Sequence, residues 1–511
     1  MPHDATGSVI NEQSSRRINS PSIKPMWLVV VMVLLLAMDH LLLLRFLGTA
    51  SPFAYLAEVA LLSALCLALL RTEWGREAIP TSRWVICIGI AFATLLLAGE
   101  GRLFYSNLDW QVRDAALHDM IVWPWPFAYS GFDTPQLLRA PIGMYLLPAI
   151  VGKVCGQSGA DMALLAQNSL LLGTVFTLGS MLFPSPGARR VAVIVILLFS
   201  GMDTLGLLLG KPTQFFPFSR SIDGWAGIQY SSHLTMAFWV PQHALVGWIG
   251  ALLYMLWRTE RLPLSAFFSL LPLTALWSPL GLMGTMPFAG AAGLEAIIRR
   301  RLGPSDIILP LIALIASASS LVYLQSDGGR VGIQFYKINP IIYGIVEFTE
   351  ALPFLAAAAF LIHGGRFGKG TIAIVAACLL FFPFIKIGHN VDFMMRASIP
   401  ALAILSVLMT DLITSGRDNI GRSIIIVCLA IGALTPAREV WRALVFKPSP
   451  PPLCDVSQAW DQSYANYGKD TYFAGLSSLP AWLRPDNVKL APPTALHHCW
   501  QRPWSVSRFG I

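Results

Sequence analysis

Apolar runs of about 20 residues recur along most of the chain, separated by short polar segments, and each is long enough to cross a bilayer core as a helix. The pattern predicts an all-α polytopic membrane protein with about thirteen spans. These are Trp27 to Phe46, Phe53 to Leu70, Trp84 to Phe104, Met162 to Phe183, Val191 to Leu209, Met236 to Leu256, Leu264 to Trp277, Leu282 to Ile298, Ile307 to Leu324, Ile341 to Ile362, Ile372 to Phe384, Ala397 to Thr410 and Ser423 to Leu434. The run Pro141 to Val154, at about 14 residues, is too short for a comfortable crossing, so a re-entrant or interfacial helix is expected there.

Charge orients this pattern. With the N-terminus in the cytoplasm, Arg16, Arg17 and Lys24, then Arg71, Arg76 and Arg83, Arg189 and Arg190, Arg258 and Arg261, Arg299 to Arg301, Arg366 and Lys369, and Arg417 and Arg422 all fall on one side, as the positive-inside rule requires. The first apolar run is too long for the core of a cleaved signal peptide and is expected to stay in the mature chain. The expected organisation is a cytoplasmic segment 1–26, a helical domain 27–436, and a non-cytoplasmic tail domain 437–511. Outer loops are expected at 105–140, 211–235, 325–339 and 386–396. Composition agrees: 55% of residues are hydrophobic and only 13% charged. The net charge of +8 sits in clusters between apolar runs, which argues for topology and against a nucleic-acid partner.

Most of the unusual polar residues then fall on the outer face. "NLDWQVRDAALHDMIVWPWP", from Asn107 to Pro126, predicts a short helix capped by Asn107 or Asp109 and ended before Pro124. Asp109 and Arg113 share one face of it, Asp114 and His118 another. Asp119 is expected to be solvated, and Trp123, Trp125 and Phe127 return the chain to headgroup level. Asp203, near the end of a span, is an ionisable group at membrane depth and by that fact a functional candidate. Asp223, Gln229, His233, Gln242 and His243 stand among aromatic residues, a mixture that suits sugars, although aromatic belts are enriched in the same way. Arg330 and Lys337 occupy another outer loop, and His389, Asp392 and Arg396 the mouth of the next-to-last span. Cys454 and Cys499 both follow the hinge "KPSPPPL" on the side where disulfides form, and are candidates for a bond. Phosphate loops of the Walker type, GxSxG, HExxH and CxxC motifs are absent.

"LDWQVRDAALHD", followed by "LLRAPIGMYLLPAIVGKVCG" and set among about thirteen spans, resembles the GT-C class of integral-membrane glycosyltransferases, over roughly Trp84 to Arg190. More narrowly, "SGMD", "WVPQHALVGW", "WSPLG" and "NVDFMMRASIPAL" resemble a group of bacterial polytopic proteins of similar length. The acidic loop follows the third span here rather than the first. The class resemblance implies a GT-C-like fold in the bacterial inner membrane. It also implies a polyprenyl-phosphate sugar donor, a glycan or lipid acceptor, contact with membrane lipids, and an acidic residue of the first large outer loop as base. Asp109 fits that position and Asp114 stands second. Arg396, Arg330, Lys337 and Arg139 are the candidate phosphate ligands, each of which would also serve as an interfacial anchor. Asp203, Asp223, Gln229, His233, His243, His389 and Asp392 are candidate substrate contacts. Some members of the class use a divalent metal, Mg or Mn, for which Asp109, Asp114 and Asp223 would be the oxygen ligands. The alternatives are a polysaccharide polymerase or ligase of another membrane fold, and a multi-pass transporter or flippase, which would carry mid-span ionisable groups and broken helices.

Overall fold

The computed structural model describes residues 21–49, 51–72, 77–210, 213, 216, 218, 220–328, 332–361, 366–388, 391–415, 419–493 and 498–508. The polar segment ahead of residue 21 and the candidates Arg330 and His389 lie outside the described residues. The chain is mostly helical. Six helices are long and apolar enough to cross a membrane: Pro25–Phe46, Pro52–Arg71, Gly143–Leu182, Pro186–Gly210, Pro279–Ile298 and Asn419–Val445. Two bent pairs, Ser305–Ala316 with Ala318–Gln325 (55°) and Pro340–Glu350 with Leu352–Phe360 (54°), raise the number to eight if each is one span. So many long apolar helices mark a membrane protein. The other apolar runs form shorter helices, among them Thr81–Leu97, Leu264–Leu273, Lys369–Phe384 and Ile399–Ser415.

Proline sets many of the starts. Pro25, Pro52, Pro186, Pro241, Pro279 and Pro340 each stand in a first helical turn, where the missing N–H costs nothing and the fixed φ suits the helix. The run read as Met236 to Leu256 is divided at Val240 into His233–Trp239 and Pro241–Arg258. The second of these is buried almost throughout and runs through the middle of the bundle.

The short run after Pro141 joins the following span in one helical stretch, Gly143–Gly179, broken at Gly156, where φ is 73° and ψ −176°. Only glycine adopts such a conformation without strain. The chain doubles back there: the Gln167 side chain donates to Met144 O at 3.0 Å, whereas 23 residues of straight helix would separate them by roughly 35 Å. A Cβ on Gly152 would lie 2.9 Å from Ala160 Cβ, which fits two antiparallel arms in close contact. The short arm is therefore half of a helical hairpin.

The expected boundary between a helical domain and an appended tail needs correction. Helix Leu434–Val445 runs straight through residue 436, and beyond it the tail completes a sheet begun in the loop at 105–140. Phe473–Gly475, Gln136–Leu138, Phe127–Tyr129 and Lys489–Ala491 lie side by side in that order, the last pair parallel and the others antiparallel. Three-residue strands leave too many unpaired backbone groups to stand alone, so the tail and the loop at 105–140 form one cap. Within it Cys454 and Cys499 are bonded to each other.

That bond closes a loop of 45 residues, for which chain entropy gives about 4 kcal/mol. Replacing both cysteines by serine is expected to make residues 450–508 protease-sensitive while the bundle stays resistant, as limited proteolysis with peptide mapping would read out.

Candidate active site

The acidic helix forms as Trp110–Val122, and Asp109 precedes it. Asp109 does not cap it: its backbone is already helical and its side chain makes no cap bond. Its carboxylate instead faces Arg113 one turn along, at 3.1 Å, and accepts from the Tyr464 hydroxyl of the tail at 2.6 Å. The same end of the helix meets the break before Pro241. The carbonyls of Phe238 and Trp239 have no helical partners beyond that break, and the loop supplies donors. Asn107 and Trp110 both donate to Phe238 O, at 2.7 and 2.9 Å, and Arg113 donates to Trp239 O.

Around this corner further groups converge. Tyr472 interacts with Arg113, Asp109 and Arg396 at once, and Arg113 and Arg396 both act electrostatically on the His243 ring. His243 is held by Ser278 at 2.7 Å, and Arg396 by Asp392 at 2.5 Å. The Tyr145 hydroxyl, buried and without a hydrogen-bond partner among the described residues, faces Arg113 as well. Burial pushes the Tyr464 hydroxyl far above its ordinary range, and Asp109 adds to the effect. Burial opposes the Arg113 charge, but Asp109 together with Tyr145, Tyr472 and Tyr464 outweighs it. The corner thus holds two carboxylates, Asp109, 24% exposed at its side chain, and Asp392, with two guanidinium groups, an imidazole and three phenols. A carboxylate that keeps part of its surface open can take a proton, and fixed cations can receive an anion.

Other sequence candidates go elsewhere. Asp114 turns to Arg102 at 3.1 Å, and Arg102 also holds Asp161 at 2.7 Å. One cation divided between two carboxylates does not offset burial at Asp114, which is pushed up to about 7. Asp119 is not solvated; the expectation is corrected. It is 2% exposed and accepts from Tyr129 OH and from Val456 N, both at 2.8 Å, so it clamps the tail to the loop. Arg139 lies in that junction too, donating to Asp470 O from its side chain and to Tyr472 O from its backbone. Gln229 donates to Ser231, His233 is buried against Ile196 O at 2.6 Å, and Lys337 is exposed beside the hairpin of Ile333–Phe335 and Ile385–Ile387.

Asp203 and Asp223 belong to a second cluster, in the helical bundle. Residues 199–202 interrupt the helices Pro186–Leu198 and Asp203–Gly210, and the interruption meets the bend after Glu350 through Met202 N to Thr349 O at 3.1 Å. Ser200 and Thr435 both donate to Asp203 at 2.9 Å, and Trp225 donates to Glu350 at 3.0 Å. Asp223 faces Asp203 and Glu439; its removal from water, with their repulsion added, holds it well above the usual carboxylate range. Glu347 and Glu350 were legible as two carboxylates inside the apolar run "IIYGIVEFTE", but spacing alone did not single them out. Tyr464 and Tyr472 had only the tyrosine-rich stretch "SYANYGKDTYF" as a signal.

Among the described residues no group of three or more His, Cys, Asp or Glu side chains is arranged to hold a metal ion. No family model, curated protein or solved structure matches the chain.

Because Asp119 satisfies two buried donors, Asp119→Ala is expected to destabilise the cap by about 1–3 kcal/mol for each donor left unpaired. Amide hydrogen exchange checks this: protection should fall across residues 127–138 and 456–475 and stay unchanged in the central helix Pro241–Arg258.

Proposed function

We propose that the chain transfers a sugar from a polyprenyl-phosphate donor to a glycan or lipid acceptor, with Asp109 as general base. The observation that carries this reading is the convergence of Asp109, Arg113, His243, Arg396 and Tyr472 on one corner beneath the cap. In the reaction the acceptor oxygen attacks the anomeric carbon while its proton passes to Asp109. The bond from that carbon to the phosphate oxygen breaks, and the bonding pair leaves with the phosphate towards Arg396. Arg113 and Tyr464 keep the base in position during the approach, because both donate hydrogen bonds to it.

A GT-C-like arrangement with about thirteen spans belongs to the same proposal, as does a location in the bacterial inner membrane, N-terminus cytoplasmic and cap periplasmic. The gathering of basic segments at one end supports that orientation. Arg258 donates to Phe367 O, the neighbouring Arg366 stacks over Phe183, and Arg83 reaches Ser180. A second reading, transport or flipping of a lipid-linked substrate, is favoured by the broken helices that meet at Asp203 and Glu350.

One set of variants separates the two. Asp109→Asn keeps the size of the side chain but removes its basicity, and is expected to lower glycan product by about 10²–10⁴-fold at normal membrane levels of the protein. Asp461→Asn serves as the control, its side chain being 60% exposed. Quantified glycolipid from membranes of expressing cells is the readout. Full activity in Asp109→Asn together with loss in Asp203→Asn and Glu350→Gln would reject the transferase in favour of transport.

A further inference from the structure

Away from Asp109, at the arginine-rich end, the helices Thr81–Leu97, Gly143–Gly179, Pro186–Leu198, Pro241–Arg258 and Ile399–Ser415 enclose a crevice of about 490 Å³, a size typical of small-molecule sites. Its walls are almost entirely apolar, and it opens sideways on the apolar flank of the bundle, where Ile86 and Ile194 are 61% and 59% exposed. The opening therefore faces lipid tails rather than water. Arg83, Arg189 and Arg190 also border it. Among the described residues none of the three forms an ion pair with a carboxylate. Arg83 donates to Ser180 Oγ at 3.4 Å and feels Glu77, whose ion pair is with Arg261, while Arg189 donates to Phe183 O and Pro184 O. Arg189 moreover repels Arg83. Two guanidinium groups without an ion pair among the described residues, held side by side next to a dry apolar crevice, are complementary to an anion carrying an apolar chain. An independent sign comes from Trp248 in the crevice wall, which is 7% exposed and whose indole N–H has no partner among the described residues; a buried donor of this kind normally finds an acceptor.

We propose that this crevice binds one anionic phospholipid of the bilayer, an acyl chain filling the apolar part, the phosphate lying between Arg83 and Arg189, and an ester oxygen within reach of Trp248. The ligand is a phospholipid and not the polyprenyl donor, because the crevice lies at the opposite end of the bundle from Asp109 and its phosphate would be remote from the base. The site is thus a lipid contact that holds five helices in register, distinct from the proposed reaction.

The test is native mass spectrometry of the full chain in detergent, titrated with phosphatidylglycerol and with phosphatidylcholine of the same acyl chains. One phosphatidylglycerol should be retained at least tenfold more tightly than phosphatidylcholine. Arg83→Gln with Arg189→Gln should weaken it by roughly fivefold per arginine, while Arg299→Gln with Arg301→Gln, in the other basic cluster, leaves it unchanged. Ala403→Phe, which fills the crevice and leaves every arginine in place, should abolish retention of the lipid, and keeps the test open if the arginine variants fail to fold. Equal retention of the two lipids, equal loss in the Arg299 and Arg301 variant, or displacement of phosphatidylglycerol by equimolar undecaprenyl phosphate would each overturn the proposal.

Discussion

Asp119 accepts one hydrogen bond from Tyr129 in its own loop and another from the backbone of Val456 in the tail, and much of the architecture at this end depends on that buried clamp. A carboxylate removed from water is costly unless its lone pairs are filled, so the pair of donors fixes where the tail can lie. From that position the tail adds two strands to the loop's two, and its helix Val456–Tyr464 places Tyr464 against Asp109. Residues almost 400 positions apart are tied in the same way, Trp504 donating to Ser106 O. The cap is therefore built from two stretches far apart in the chain, and neither half has enough hydrogen-bonding partners to be a domain alone.

The second constraint lies where the cap meets the bundle. Apolar surroundings offer no water to a broken helix, so every freed carbonyl must find a donor from the protein. At the break before Pro241 the donors come from Asn107, Trp110 and Arg113, which are the residues that set the start of the acidic helix. Positioning Asp109 and repairing the break are thus one arrangement. The break at residues 199–202 is repaired differently, by Thr349 and His233, and there the gathered side chains are mainly carboxylates. The corner at Asp109 pairs each carboxylate with an arginine, whereas the cluster at Asp203 gathers carboxylates without such partners among the described residues, which is why they support different chemistry.

The fold was legible in the sequence as far as apolar length and proline placement carry it. The runs form helices, prolines open many of them, and the acidic stretch is a helix that ends before Pro124. Asp109 with Arg113 was readable too, because four residues is one helical turn. What escaped was anything that depends on contacts distant in sequence. Asp119 looked like one more surface carboxylate beside His118, since nothing local announces Val456 as its partner. The tail looked like an appendage because strands of three residues leave almost no periodicity to read. Gly156 is a single glycine in a helical pattern, and only the packing of Gly152 on Ala160 makes it a hairpin.

In the proposed reaction, the corner under the cap is where a lipid phosphate and an acceptor meet. Cryo-electron microscopy of the full chain with a non-hydrolysable polyprenyl-phosphosugar analogue tests it most directly. The phosphate is expected within hydrogen-bond reach of Arg396 and the anomeric carbon beside Asp109. Density for the head group at the Asp203 and Glu350 cluster, with the corner at Asp109 unchanged, would contradict it.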